Sequence, residues 1–235
     1  MESSKIISNI KIKIIEEEVF RYLGYRKGFL QKIPLDIKNK VREEINHVDS
    51  LLDSKGIYQF LDVISISTNG NVFIAKDYTF SINREMIHLL ENVELIFFAL
   101  VTIGPRIEEV IKKRFDQNQY IQAVILDAVG TVAVKTLAQW FNYYIEHESS
   151  HKGYQFSRYF EPGSGDWNLR EQKKIFHILE PEKIGIKLSS ANMIQPTKSL
   201  TWIRGMGHNL IHSYRNEFSC QYCLRENCIF RKKSE

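Results

Sequence analysis

Residues 157–176 read SRYFEPGSGDWNLREQKKIF, a glycine-containing loop followed by a run of helix-forming residues. Gly163 and Gly165 lack a Cβ atom, so the backbone there can adopt left-handed angles and approach a ligand closely. Asn168 is followed three residues later by Glu171, a capping-box-like spacing that places a helix start directly behind the loop. The stretch therefore predicts a turn of bare main chain beside a helix N-terminus.

This predicted turn has the chemistry of a small-molecule site. The first N–H groups of a helix lack partners within the helix and carry positive partial charge, which suits a carboxylate or a phosphate. Arg158, Glu161 and Asp166 add side-chain charges of both signs, so we expect a charged or zwitterionic ligand. The alternative interpretation is a tight surface turn that caps an ordinary helix.

The clearest periodicity in the chain runs over residues 121–145 and predicts one long helix. Its apolar residues fall on one broad face, and at ~1.5 Å per residue the helix would be ~37 Å long. Gly130 and the small residues around it predict that another backbone passes close to the middle. Core packing of Trp140 and Tyr144 is favoured over a cofactor-stacking role. The apolar positions are Ile121, Val124, Ile125, Ala128, Val129, Val132, Leu137, Trp140, Phe141 and Tyr144.

The rest of the chain alternates between helical and β-rich segments. The sequence predicts an α+β domain with a mixed, mostly antiparallel twisted sheet, flanking helices and one long central helix. We expect this domain to comprise residues 1–215, followed by a cysteine-containing tail at 216–235. The predicted strands are 6–15, 58–67, 72–82, the buried run 93–103, 185–188 and 199–204, with a hairpin at Asn69, Gly70 and Asn71.

Composition indicates a globular domain and excludes several classes of function. Apolar residues make up 43% of the 235 residues, and the formal charge of +4 is modest with scattered Lys and Arg, so nucleic acid is not an expected partner. No apolar run reaches the ~18 residues of a membrane span, and no signal-type region follows the N-terminus. We therefore expect a cytoplasmic protein without a membrane partner. The sequence contains no common hydrolase or nucleotide-binding motif, and no catalytic residue is assigned.

All three cysteines lie in one short segment near the end: Cys220, Cys223 and Cys228. The odd count argues against a disulfide framework. A Cys-x-x-Cys spacing lets two thiolates bind one soft metal, and the third cysteine can join them, with His208 or His212 as a candidate fourth ligand. Zinc would make the tail a structural knuckle, whereas an iron–sulfur cluster would give it redox function. Free thiols and reversible disulfide chemistry are the alternatives.

The loop motif and several other segments resemble the activation domain of cobalamin-dependent methionine synthase, most closely its free-standing form. The likeness extends over roughly residues 16 to 206, and the ordered set is more specific than any one segment. In chain order the segments are 19–25 (VFRYLGY), 101–104 (VTIG), 127–131 (DAVGT), 162–167 (PGSGDW), 172–176 (QKKIF) and 184–189 (IGIKLS), then Met193, Pro196 and Ser199.

The resemblance implies a protein that binds S-adenosylmethionine and presents its methyl group to the cobalt of a corrinoid. In the family this rescues cobalamin from the inactive cob(II) state by one-electron reduction coupled to methylation. The implied partners are a corrinoid-binding methyltransferase that carries the cobalamin and an electron donor such as flavodoxin or ferredoxin. The aromatic face of Trp167 suits a cationic sulfur. The implied ligand-binding residues are Arg158, Glu161, Gly163, Ser164, Gly165, Asp166 and Trp167.

The chain departs from the family's pattern at three positions. The family's Arg-x-x-Pro-Gly-Tyr motif has its arginine where this chain has Tyr159, and Arg158 lies one residue earlier. Ser164 replaces the tyrosine that follows the glycine. Lys135 stands at the apparent position of a glutamate that contacts the ligand amine, and a lysine repels an ammonium group instead of accepting its hydrogen bond.

Two alternative functions belong to other classes. One is a non-catalytic subunit that docks on a corrinoid methyltransferase, in which Lys135 and Ser164 would mark a retired ligand site. The other is an iron–sulfur protein that delivers electrons to cob(II) through a cluster on the cysteine tail. Ligand binding, co-purification with a corrinoid protein and metal content distinguish these functions.

Overall fold

The computed structural model describes residues 3–25, 32–67, 71–74, 77–211 and 213, which fold around one seven-stranded sheet. The helices of the described residues are α1 Glu16–Tyr22, α2 Leu35–His47, α3 Arg84–Leu89, α4 Arg106–Asp116, α5 Tyr120–Ser150 and α6 Gln172–Leu179. The strands are β1 Lys5–Ser8, β2 Lys55–Ile66, β3 Asn71–Ile74, β4 Tyr78–Ser81, β5 Leu95–Thr102, β6 Gln155–Phe160, β7 Lys187–Leu188, β8 Ile194–Gln195 and β9 Ser199–Gly207.

The sheet has the strand order β4-β3-β2-β5-β9-β6, and β1 pairs with β2. Every strand pair in the described residues is antiparallel, including the separate pair β7–β8. This arrangement confirms the predicted α+β class with a mostly antiparallel sheet. Strand β5 lies at the centre with seven of its eight residues buried, as its continuous apolar run predicts.

Each face of the sheet carries its own hydrophobic core. One core lies between the sheet and helices α1, α2, α4 and α5, and the other lies between the sheet and helices α3 and α6. Alternate residues of a strand point to opposite faces, so β5 contributes to both cores. Phe97, Ala99 and Val101 pack on the α5 side, and Ile96, Phe98 and Leu100 on the α6 side.

The long central helix is confirmed: α5 has 31 residues. Length and hydropathy alone would allow it to cross a membrane, but 61% of its most apolar window is buried inside the protein, as in a core helix. Gly130 provides a close approach, although not to a backbone as predicted. A Cβ atom there would lie 2.9 Å from Ile107 Cδ1 and 3.3 Å from Lys198 Cε, so two side chains cross the helix at this point. Trp140 and Tyr144 stack on each other and pack against the α5-side core.

Several strand predictions differ from the structure. β1, at Lys5–Ser8, overlaps only the start of the predicted residues 6–15, and the run predicted at 72–82 forms two paired strands, β3 and β4. β6, which is central to the site below, and the short β8 were not predicted. The strand predicted at 185–188 begins at Lys187 because Gly185, at φ 80°, ends a 3-10 turn in the left-handed region. β2 and β3 do pair as the predicted hairpin requires, whereas Asn69 and Gly70 of its turn lie outside the described residues.

Candidate functional site

The glycine loop, residues 161–168, connects β6 to a 3-10 turn at Leu169–Glu171. Gly163 at φ 84° and Gly165 at φ 56° both adopt the predicted left-handed conformation. The amide of Gly163 donates to the carbonyl of Trp167 at 2.8 Å. The Ser164 amide donates to the Glu161 carbonyl at 3.0 Å, and the Trp167 amide donates to the Ser164 carbonyl at 3.3 Å. The turn thus closes on itself, and these three amides are already used within the loop.

The predicted helix N-terminus is also arranged differently. The first turn after the loop is a 3-10 turn, in which the Asn168 side chain accepts a hydrogen bond from the Arg170 amide at 2.9 Å. Glu171 does not complete a capping box; its carboxylate instead accepts from the Ser81 amide at 3.3 Å and from Lys174 Nζ at 2.8 Å. A buried carboxylate of the protein therefore already lies at the start of α6, where an anionic ligand was expected.

Trp167 faces the interior. Its side chain is only 3% exposed, its Nε1 donates to the Ser81 carbonyl at 2.9 Å, and its ring packs in the α6-side core. The predicted use of its aromatic face by a cationic sulfur is therefore wrong, because the ring is covered by the protein. Ser164, Gly165 and Asp166 are exposed at the tip of the loop. Trp167 fixes the loop against β4 and leaves those three residues in solvent.

Two pairs of opposite charge lie around the end of β6, and we name their four residues the edge cluster: Arg158 with Glu85 of α3, and Glu161 with Lys135 of α5. Arg158 Nη1 donates to Glu85 Oε1 at 3.0 Å, which ties β6 to α3. The Glu161 carboxylate lies within electrostatic range of both Lys135 and Arg158. The structure thus places two of the predicted site residues within electrostatic range of each other, each with a charged residue of another element beside it.

A bulge in β6 sets the direction of these side chains. The register with β9 shifts by one residue between Phe156 and Tyr159, so β6 carries one extra residue there. Beyond the bulge Tyr159 packs on the α5-side core and Phe160 on the α6-side core. Because side chains alternate along a strand, Glu161 projects to the α5 side, where Lys135 lies.

The electrostatics of the edge cluster centre on Glu161. This residue is half-buried, and burial raises the pKa of its carboxyl above the usual value, although the positive charges of Lys135 and Arg158 oppose the rise. Lys135 is exposed, and its ammonium lies 5.2 Å from the centre of the Tyr22 ring. The cluster therefore offers a poorly solvated carboxylate next to an accessible cation, an arrangement that suits a small molecule with charges of both signs.

Sequence reasoning identified Arg158 and Glu161 but did not assign Lys135 or Glu85 to the site. In the sequence, Lys135 was notable only as a departure from the family's pattern. The bulge in β6 is the feature that turns Glu161 toward the side of the sheet where Lys135 lies. Glu85 belongs to a helix far away in the sequence, and no local pattern points to it. Tyr159, another of the three departures, packs against the α5-side core and is half-buried.

The remaining candidates lie elsewhere. An open cleft of about 340 Å³ is lined by Pro105, Glu108, Gly185, Lys187, Gln195, Pro196 and Thr197, and none of the predicted site residues lines it. The predicted metal ligands Cys220, Cys223 and Cys228, together with His212, lie outside the described residues. His208, the other candidate ligand, bonds to Glu94 through Nδ1 at 2.9 Å. Within the described part of the chain, no group of three or more His, Cys, Asp or Glu side chains is arranged to hold a metal ion.

Comparison with known proteins agrees with the resemblance indicated by the sequence. The chain is similar to a crystal structure of the MetH reactivation domain bound to AdoHcy, with a TM-score of 0.69 and 10% identity over 93% of this chain and 83% of the other. At this identity the similarity shows a shared fold. Over 136 residues, 50% of this chain, it is 24% identical to a methionine synthase of Mycobacterium tuberculosis.

The two similarities differ in extent. The chain spans only 11% of the length of the mycobacterial methionine synthase. No protein-family model matches the chain. The chain thus resembles the activation domain of methionine synthase in fold and in part of its sequence.

Proposed function

We propose that the chain is a corrinoid reactivation module, which binds S-adenosylmethionine and supports reductive methylation of cob(II)alamin in a methionine synthase or a related corrinoid methyltransferase system. The observation that carries this proposal is the fold shared, over 93% of the chain, with a reactivation domain bound to AdoHcy. A corrinoid-binding methyltransferase would be the partner that carries the cobalamin. Flavodoxin or ferredoxin would supply the electron, and the system would be cytoplasmic.

The part played by this chain in such a reaction is to bind and orient the methyl donor. The methyl transfer itself belongs to the cobalt and the sulfonium, whereas the protein supplies position and charge. The amides of the glycine loop bond within the loop, and Trp167 is buried. Among the predicted site residues, those of the edge cluster are therefore best placed to bind the charged end of the ligand. Arg158 and Glu161 would therefore act together with Lys135.

Calorimetric titration with AdoHcy and S-adenosylmethionine tests the proposal directly. We expect saturable binding of one ligand per chain by both compounds and none by ATP, which shares the adenosine but lacks the amino-acid end. Ligand binding should also raise the Tm, because a ligand that binds only the folded state stabilises it. A folded sample that gives no heat at millimolar ligand would remove the methyl-donor site.

A second function, the non-catalytic docking subunit, is favoured by one observation. The loop amides of Gly163, Ser164 and Trp167 are satisfied within the loop, as expected of a turn with no ligand to bind. Co-purification with a corrinoid protein, combined with no heat from either adenosyl compound, would support this function over the first.

The cysteine tail predicts bound metal. We expect anaerobically purified protein to contain zinc or an iron–sulfur cluster held by Cys220, Cys223 and Cys228, and Cys223→Ser to lose it, because two thiolates cannot replace a closed site. Metal analysis and the visible absorption spectrum measure this. A brown sample would favour electron delivery, whereas a colourless sample that contains zinc would favour a structural knuckle. If neither the wild-type protein nor Cys223→Ser contained metal, the prediction would be contradicted.

A further inference from the structure

Lys135 and Glu161 are distant in the sequence, and the fold places them within electrostatic range of each other. Lys135 lies on an exposed position of α5, and Glu161 follows the last residue of β6. In the strand order of the described sheet β6 is the terminal strand, so no further strand separates Glu161 from solvent on that side. The bulge in β6 directs Glu161 to the face of the sheet on which α5 packs.

The edge cluster contains two positive and two negative side chains, and only Arg158 and Glu85 form a close ion pair. Arg158 is 24% exposed and is held at 3.0 Å by Glu85. Lys135 contacts the Tyr22 ring through its ammonium, an interaction that leaves its donors able to bind an anion. The cluster therefore presents one carboxylate, Glu161, and one accessible cation, Lys135. A ligand group with one positive and one negative charge would pair with both and leave the cluster neutral, whereas a simple anion or cation would not.

We propose that Glu161 binds the α-ammonium group and Lys135 the α-carboxylate of the ligand's amino-acid end. This orientation is opposite in polarity to the one implied by the family resemblance, in which an acidic residue at the position of Lys135 contacts the amine. The inference rests on the proposed function, because it takes the adenosyl amino acids as ligands. The substitution of lysine for glutamate on α5 is then compensated by Glu161, directly after β6.

The titration of Glu161 gives this orientation a distinctive pH dependence. Burial raises the pKa of its carboxyl, while the facing cations Lys135 and Arg158 lower it and Glu85 neutralises part of the Arg158 charge. The ligand-free protein thus retains this proton to a higher pH than an ordinary carboxyl would. An ammonium group favours the ionised form, so ligand affinity should rise as pH increases through the pKa of Glu161. Glu161→Gln should remove this rise.

The experiment measures AdoHcy and its decarboxylated analogue, which lacks the α-carboxylate, against wild-type protein, Lys135→Gln and Glu161→Gln. We expect Lys135→Gln to weaken the binding of AdoHcy about tenfold, or about 1.4 kcal/mol. The same substitution should weaken the binding of the decarboxylated analogue less than about twofold. Glu161→Gln should weaken both ligands about tenfold, since both keep the ammonium. Lys183→Gln, at an exposed residue of another surface, is the matched control and should change neither affinity.

The charge reversal Lys135→Glu distinguishes the two possible orientations of the ligand's α-carboxylate and α-ammonium groups. Lys135→Glu should weaken AdoHcy more than Lys135→Gln does if the carboxylate binds there, and should strengthen it if the ammonium binds there. Strengthening, or equal effects of Lys135→Gln on both ligands, would overturn the inference while leaving the proposed function intact. Failure of the wild-type protein to bind AdoHcy would overturn both.

A stability measurement tests whether Glu161 has only a structural role. A carboxyl with a raised pKa contributes stability at low pH that is lost as pH rises through that pKa. Glu161→Gln should therefore leave the Tm at pH 7 unchanged or raise it, while it weakens ligand binding. A lowered Tm together with an unchanged pH profile of binding would overturn the assignment of Glu161.

Discussion

Glu146→Gln is expected to lower the free energy of unfolding by about 3 kcal/mol, measured by urea unfolding at pH 7. Arg204 of β9 is only 3% exposed and donates from Nη1 to the Glu146 carboxylate of α5. Burial lowers the pKa of the guanidinium, but Glu146 opposes this and keeps it charged. A neutral amide at residue 146 would leave that buried charge without its counter-ion, which is the costly half of breaking a buried pair.

The control for this prediction is an exposed pair of the same chemistry. Glu180→Gln removes the partner of Lys183, whose side chain is 45% exposed, and should leave the free energy of unfolding nearly unchanged, because an exposed ion pair contributes little. The double variant Glu146→Leu with Arg204→Met should recover most of the lost stability, because it removes both charges. A loss under about 1 kcal/mol for Glu146→Gln would show that Arg204 finds other partners.

The second large effect is expected from Gly56→Ala, a loss of about 2 kcal/mol in the free energy of unfolding. A Cβ atom at this position would lie 2.2 Å from Phe141 Cε2. Gly56 is held between Ile7 of β1 and Val101 of β5, so its backbone cannot move away. Phe141 is fully buried, and its ring packs edge-on against Trp202 at 6.2 Å, so the ring cannot move either.

A double-mutant cycle identifies the cause of the Gly56→Ala effect. Phe141→Leu should be destabilising alone, but in the Gly56→Ala background it should cost less, because the smaller side chain makes room for the new methyl group. Chemical denaturation of the four proteins gives the coupling energy. Additive effects, or a stabilised Gly56→Ala protein as strand propensity alone predicts, would show that the contact is not the cause.

The elements that sequence patterns predicted are those whose burial is uniform along their length. β5 lies under helices on both faces and α5 packs one broad face on the sheet, so a continuous run and a helical period appear directly in the sequence. β6 was missed because its bulge interrupts the alternation: Phe156 and Tyr159 share a face although they are three positions apart in the sequence. Extra residues of this kind are set by tertiary pairing and leave no local period.

The candidate site was predicted in part for the same reason. Local chemistry correctly indicated the left-handed glycines of the loop, because a positive φ is a property of single residues. It could not indicate that Trp167 turns inward, since its Nε1 donates to the carbonyl of Ser81, which belongs to strand β4 and is distant in the sequence. It also could not relate Glu161 to Lys135, because their electrostatic interaction depends on how a helix packs beside the end of a strand.

The extra residue in β6 has a consequence for comparing this chain with its relatives. If one residue were deleted between Phe156 and Tyr159, the bulge would disappear, while the pairs Tyr159–Arg204 and Phe160–Ile203 could form as before. Glu161 would then keep its side of the sheet. A homologue without the extra residue can therefore position an acid against helix α5, provided that it has the glutamate directly before its Pro-Gly, and residues should be matched by counting back from the Pro-Gly and not forward from the start of the strand.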